Sequence, residues 1–157
     1  MILGYHAVFT AYGFWLPNDP RGSWSEFVGR WELLRFGRTT KIHTTRSVAR
    51  APHDRQLREA AKAALKYPPV HFSGAQALAV AQGFDQARQE GRYVIYACAI
   101  LPEHVHLVIA RHGRRIGQIV GHLKARATQR VRTAAAWPRD GRPVWASKAW
   151  KGFLDEP

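Results

Sequence analysis

The chain has 157 residues and a mass of 17.8 kDa, and its 24 Lys and Arg against 11 Asp and Glu give a formal net charge of +13. The length suits one domain, and an apolar content of 46% excludes a disordered polycation because it can fill a core. No apolar run approaches the roughly 18 residues that cross a bilayer, and the single cysteine, Cys98, excludes an intramolecular disulfide and a cysteine-based zinc site. In chain order, the opening MILGYHAVFTAYG has no basic leader before an apolar stretch, so no signal peptide is expected. Tyr5 to Tyr12, rich in aromatic and β-branched residues, predicts a strand. Alternation puts Tyr5, Ala7 and Phe9 on one face, and His6, Val8 and Thr10 on the other.

A loop dense in Gly, Pro, Asn, Asp and Ser follows, and it carries Trp15, Trp24 and Trp31. Those three either cap the edge of a core or offer stacking surfaces to bases. The Thr-rich, basic stretch from Arg35 to Arg50 has weak periodicity and reads as irregular. Asp54 to Tyr67 has Leu57, Ala60, Ala61, Ala64 and Leu65 at helical spacing, and Pro68 and Pro69 stop it. Gly74 to Glu90 predicts a second helix, with Leu78, Ala81 and Phe84 inward and Gly91 closing it. Tyr93 to Leu101 reads as a buried-type strand, with Tyr93 and Tyr96 in the core. Pro102 and Glu103 turn into a further strand, His104 to Ala110. Gly113 to Ala136 predicts a long helix with the apolar stripe Ile116, Ile119, Val120, Leu123, Ala127 and Val131. Trp137 to Arg142 is a loop, and Val144 to Trp150 a short extended piece.

The order is strand, helices, strand, strand, helix, strand. That is the βαββαβ pattern of a ferredoxin-like α+β domain, with helices on one face of an antiparallel sheet and the first and third strands adjacent at its centre. A single domain spanning 1–157 is expected, with an aromatic and basic insertion at about 13–51.

The sharpest local feature is Leu101-Pro102-Glu103-His104-Val105-His106-Leu107-Val108-Ile109. Two residues apart on a strand means one face, so His104 and His106 project together, while Val105 and Leu107 point to the core. Paired imidazoles at that spacing can bind one divalent metal, though two chance histidines on a polar sheet face give the same pattern. His6 lies near them if its strand is their neighbour. Alternation points Glu103 away from that face.

The Pro-x-His-Val-His-Leu-Val run after a hairpin resembles the HUH single-tyrosine transposases, and within them the REP-associated tyrosine transposases. Tyr5-His6 is similar to that family's first strand. Thr10-Ala11-Tyr12-Gly13-Phe14-Trp15-Leu16-Pro17 is similar to an aromatic extension of one subgroup, and Val144-Trp145 through Trp150-Lys151-Gly152-Phe153 to the family's late aromatic stretch. The resemblance runs from about residue 5 to residue 154. It implies an HUH endonuclease fold in which His104 and His106, with a third polar ligand, hold Mg²⁺ or Mn²⁺ on the scissile phosphate of single-stranded DNA. It further implies a tyrosine that attacks in line, leaving a 5′ phosphotyrosine and a free 3′ hydroxyl, beside a hairpin that the protein recognises. The family's nucleophile belongs to a C-terminal Tyr-Ile-x-x-Asn-Pro helix. Here no tyrosine follows His106, and the sole asparagine is Asn18. The expectation is therefore a chain without that helix, catalytically incomplete as it stands and weak in metal binding with two histidines. Tyr12 is the least implausible stand-in among the earlier tyrosines.

The resemblance and the charge together imply a DNA partner, a bacterial cytoplasmic, nucleoid-associated location and no membrane. The oligomeric state stays open between monomer and homodimer. Candidate DNA contacts are Arg38, Lys41, Arg46 and Arg50 in the irregular segment, and Arg111, Arg114, Arg115, Lys124, Arg126 and Arg130 around the long helix. Between Arg111 and Arg132 there is no acidic residue. Arg114 and Arg115 precede a helix start, where the dipole disfavours cations by roughly 0.3–1 kcal/mol, so a phosphate would offset them. A solvated cationic face is the plainer reading. Three functions remain in view: a DNA-nicking and rejoining transposase, a non-catalytic binder or repressor of DNA hairpins derived from one, and a basic RNA-associated protein.

Overall fold

The computed structural model describes residues 1–19, 31–37, 52–134 and 136–155. It divides into two compact units, one made of Met1–Tyr12 with Val70–Pro157, the other of Gly13–Pro69.

The larger unit is α+β and carries the ferredoxin-like order. Strand β1 is Gly4–Ala11, β2 Ile95–Ile100, β3 His104–Ala110 and β4 Trp145–Leu154. They form one antiparallel sheet in the order β2-β3-β1-β4, so the first and third strands sit side by side at the centre as the element order predicts. Two helices belong to this unit, α2 (Gly74–Gly91) and α3 (Ile116–Ala134). Ala7, Phe9, Val105, Leu107 and Ile109 are fully buried, and so are Ile119, Leu123, Ala127 and Val131 of α3. The α3 stripe read from the sequence is buried throughout, with Ile116 and Val120 completing it.

Aromatic rings fill the centre of the core. Phe9 meets Phe84 of α2 edge-on at 5.9 Å and Trp145 of β4 at 5.4 Å, and Trp145 also lies 5.2 Å from Phe72. The helices pack closely because Gly83 of α2 has no side chain. A Cβ there would lie 2.5 Å from the Cα of Ala127 on α3. Ser73 caps α2, accepting from the Gln76 amide at 3.3 Å while the Gln76 side chain accepts from the Ser73 amide at 3.1 Å.

Four local readings are corrected. The inward face of α2 is Ala79, Val80, Gly83, Phe84 and Ala87, while Leu78 is 61% exposed. The helix closes on Arg92 in the left-handed conformation (φ 54°), one residue past Gly91. Strand β2 is an edge strand, not a buried one, and Tyr96 on it is 66% exposed, whereas Tyr93 ahead of it is buried. An apolar run cannot distinguish a central strand from an edge strand whose outer residues remain in water. Strand β4 also runs on to Leu154, beyond the extended piece expected to end at Trp150.

The smaller unit holds a short 3₁₀ helix, Trp31–Phe36, and helix α1, Arg55–Ala63. Its core is Leu16, Leu33, Phe36 and Ala61, with Leu57, Ala64 and Leu65 packed against them. Asp54 caps α1 by accepting the Leu57 amide at 2.9 Å. The segment read as an insertion at about 13–51 forms the first part of this unit.

Candidate nucleic-acid interface

Strand alternation separates the sheet into two faces. On β3, Val105, Leu107 and Ile109 turn into the core and are fully buried, which leaves His104, His106 and Val108 half-buried on the opposite face. On β1, Ala7 and Phe9 are buried, and His6 and Val8 share the face of the histidines. The register puts Val8 opposite His106 and Thr10 opposite His104, and on the other side Val8 opposite Trp150 and His6 opposite Gly152. Four side chains thus gather on one face of β3, β1 and β4: His6, His104, His106 and Trp150.

Their geometry is tight. The Nε2 of His6 lies 3.2 Å from the Nδ1 of His106, the two rings are stacked at 5.4 Å, and His104 meets His106 edge-on at 5.1 Å. Trp150 meets His6 edge-on at 5.3 Å. A side chain at position 152 would displace that indole, because a Cβ there would lie 2.8 Å from its outer ring. Partial burial, and then the charge of His106, lower the pKa of His6. With His106 donating from Nδ1 to the Nε2 of His6, the Nε2 lone pair of His106 is left for a ligand. This is the way an outer hydrogen bond aims a metal-bound imidazole. The pairing of β1 with β3 is what brings His6 beside the pair.

The donor set is nitrogen only. Among the described residues, no group of three or more His, Cys, Asp or Glu side chains is arranged to hold a metal ion. Mg²⁺ demands near-octahedral oxygen coordination, and two imidazoles do not meet that demand. The described residues therefore do not fit a complete Mg²⁺ site. Glu103 turns aside, as alternation requires, and pairs with the Nδ1 of His71 at 3.1 Å.

The cationic residues read around α3 separate into two groups. Arg111 and Arg115 are exposed, and Arg114 is exposed while its guanidinium donates to the Tyr93 hydroxyl at 2.9 Å. Arg126 pairs with Glu90 of α2 at 2.8 Å, and Arg130 donates to Gln86 at 3.2 Å. The ammonium of Lys124 turns onto β4 and donates to the carbonyls of Ala146 at 2.8 Å and Lys148 at 3.2 Å. Arg126 thus meets its counter-charge, Glu90, on another helix. Glu90 accepts from Gln86, Arg126 and His122, which hold its carboxyl at about 2.

Arg38, Lys41, Arg46, Arg50 and Trp24 lie outside the described residues. Arg35 stacks its guanidinium over Phe36 at 4.7 Å. Trp31 is 78% exposed and Trp15 half-buried. Tyr12 is buried, which disfavours it as a nucleophile. Sequence reasoning did not place Trp150 beside His6. The signal was its even spacing with Gly152, but a register shift between Phe9 and Ala11 on β1 separates the two ends of β4, and that cannot be counted from sequence.

No protein-family model matches the chain, and no curated protein matches it. Solved structures do. A REP-associated tyrosine transposase bound to a REP hairpin has a TM-score of 0.50 and 10% identity, over 100% of this chain and 59% of that one. A Deinococcus radiodurans R1 protein named as a transposase candidate has a TM-score of 0.48 and 12% identity, over 99% of this chain and 82% of that one. The likeness is one of fold. This chain spans 59% of the length of the hairpin-bound transposase. No described helix is long and apolar enough to cross a membrane.

Proposed function

We propose that this chain is a nucleic-acid-handling domain of the HUH transposase type, which binds single-stranded DNA beside a hairpin and presents a phosphate to His104 and His106. One observation carries the reading: His6, His104, His106 and Trp150 meet on one face of β3, β1 and β4 in a chain of net charge +13. Imidazole N–H groups donate to phosphate oxygens, and a half-buried indole gives an unpaired base a stacking partner. The fold shared with a hairpin-bound transposase supports DNA over other polyanions.

A second reading is favoured by the absence of a three-ligand group among the described residues. In it the domain binds hairpin DNA without cutting it. Fluorescence anisotropy with a labelled hairpin carrying a single-stranded extension tests both. The proposal expects binding that weakens at least tenfold in His104→Ala/His106→Ala. The non-catalytic reading expects wild-type binding to survive EDTA with no cleaved strand. Equal affinity for random RNA would refute both and point to an RNA-associated protein.

A further inference from the structure

The sheet has a second surface of interest, on the opposite side of β4. A groove of about 320 Å³ runs between α3 and β4, lined by Gly117, Val120, Gly121, Lys124, Lys148 and Lys151, with Ser147 and Ala149 along its wall. Three of these residues are lysines, and none carries a carboxylate. The floor is open because of its glycines. A Cβ at Gly121 would meet nothing within 4 Å, and one at Gly117 only the ammonium of Lys151, at 3.7 Å. That short reach places the Lys151 ammonium directly over the helix backbone. Lys124 closes one end, tied to the carbonyls of Ala146 and Lys148, with its ammonium 5.3 Å from the centre of the Phe9 ring.

We propose that this groove holds a phosphate-bearing stretch of nucleic-acid backbone, with Lys124 and Lys151 as its cationic contacts. The proposal rests on the DNA-binding reading above and extends it to a separate surface. Like charges gathered without a carboxylate repel one another, and an anion relieves that repulsion. Burial lowers the Lys124 pKa, so its charge is costly there and a neighbouring anion would offset the cost. The shape admits a backbone: the glycines let a chain approach the helix closely. Strand geometry favours a polymer over a small anion. Trp150 and Lys151 are adjacent on β4 and point to opposite faces, so one strand passing over the edge of the sheet meets the histidine face and then the lysine groove.

Amide NMR on the full chain tests this, titrating with a hairpin DNA that carries a single-stranded extension and, separately, with a poly-glutamate peptide. DNA is expected to shift the amides of Gly117, Gly121 and residues 147–151. Lys151→Gln is expected to make the log–log salt dependence of DNA binding shallower by roughly 0.7, one phosphate contact on a single strand. Gly121→Glu puts a carboxylate in the groove with space to spare, and should weaken DNA binding more than tenfold without lowering the melting temperature. DNA binding with unshifted groove amides and an unchanged slope would overturn the groove and leave the histidine-face reading standing. Shifts with poly-glutamate but not with DNA would also overturn it. A chain that binds no DNA at all would overturn both.

Discussion

Replacing glycine by alanine should have opposite consequences at two positions in the helical layer. At Gly83 on α2, the new Cβ would lie 2.5 Å from the Cα and 2.6 Å from the amide nitrogen of Ala127 on α3. These are backbone atoms, and no flexible side chain can yield. Ordinary contact begins near 3.4 Å, so the helices must separate by about 3.4 − 2.5 = 0.9 Å. Overpacking of this kind costs about 1–3 kcal/mol, and a backbone collision belongs at the upper end. Against it stands a gain of about 1 kcal/mol in helix propensity. The net is a loss of about 2 kcal/mol for Gly83→Ala. At Gly121 on α3 nothing lies within 4 Å of the new Cβ, so only the propensity gain remains. For a chain of this size 1 kcal/mol corresponds to about 2–4 °C. Differential scanning calorimetry should therefore show Gly83→Ala melting about 4–8 °C below the wild type and Gly121→Ala about 2–4 °C above it. Shifts of the same sign would refute the close approach of α2 to α3.

Two further predictions concern pH. Hydrogen bonds from Gln86, Arg126 and His122 hold Glu90 at about 2 in the folded chain, against 4.5 ordinarily. The unfolded state therefore takes up this proton first, and the contribution of Glu90 is present above pH 4.5 and lost as the pH falls towards 2. Urea denaturation across that window should show Glu90→Gln less pH-dependent than the wild type, and parallel curves would contradict the network. Burial lowers the Lys124 ammonium to about 8 from 10.5, so it deprotonates in the folded chain while the unfolded chain still holds its proton. Between those values this group makes folding more favourable as pH rises. The ¹³Cε resonance of Lys124 should titrate near 8, and a midpoint above 10 would show that it sits in water.

Much of the architecture was legible because the relevant signals are local and periodic. The α3 stripe repeats at helical spacing and packs on one surface, so every residue in it is buried. The alternation of His104 to Ala110 assigned both faces of β3 correctly, because a strand has only two. The failures came where the deciding partner is distant in sequence. Leu78 has the hydropathy of a core residue, but the face of α2 is chosen by where Gly83 lets α3 approach. Arg126 and Arg130 look unopposed within their own helix, and their partners Glu90 and Gln86 arrive from α2. The His104/His106 pair was readable. The addition of His6 required the pairing of β1 with β3, and that of Trp150 the pairing of β1 with β4.

The central claim is that DNA lies on the face made by His6, His104, His106 and Trp150. Imidazole ¹⁵N and ¹³C spectra of the full chain, recorded with and without a hairpin DNA bearing a single-stranded extension, address it directly. The three histidines should shift together on adding DNA, while His71, on the far side of the Glu103 turn, should stay in place. DNA binding that leaves the resonances of His6, His104 and His106 unmoved would contradict the account.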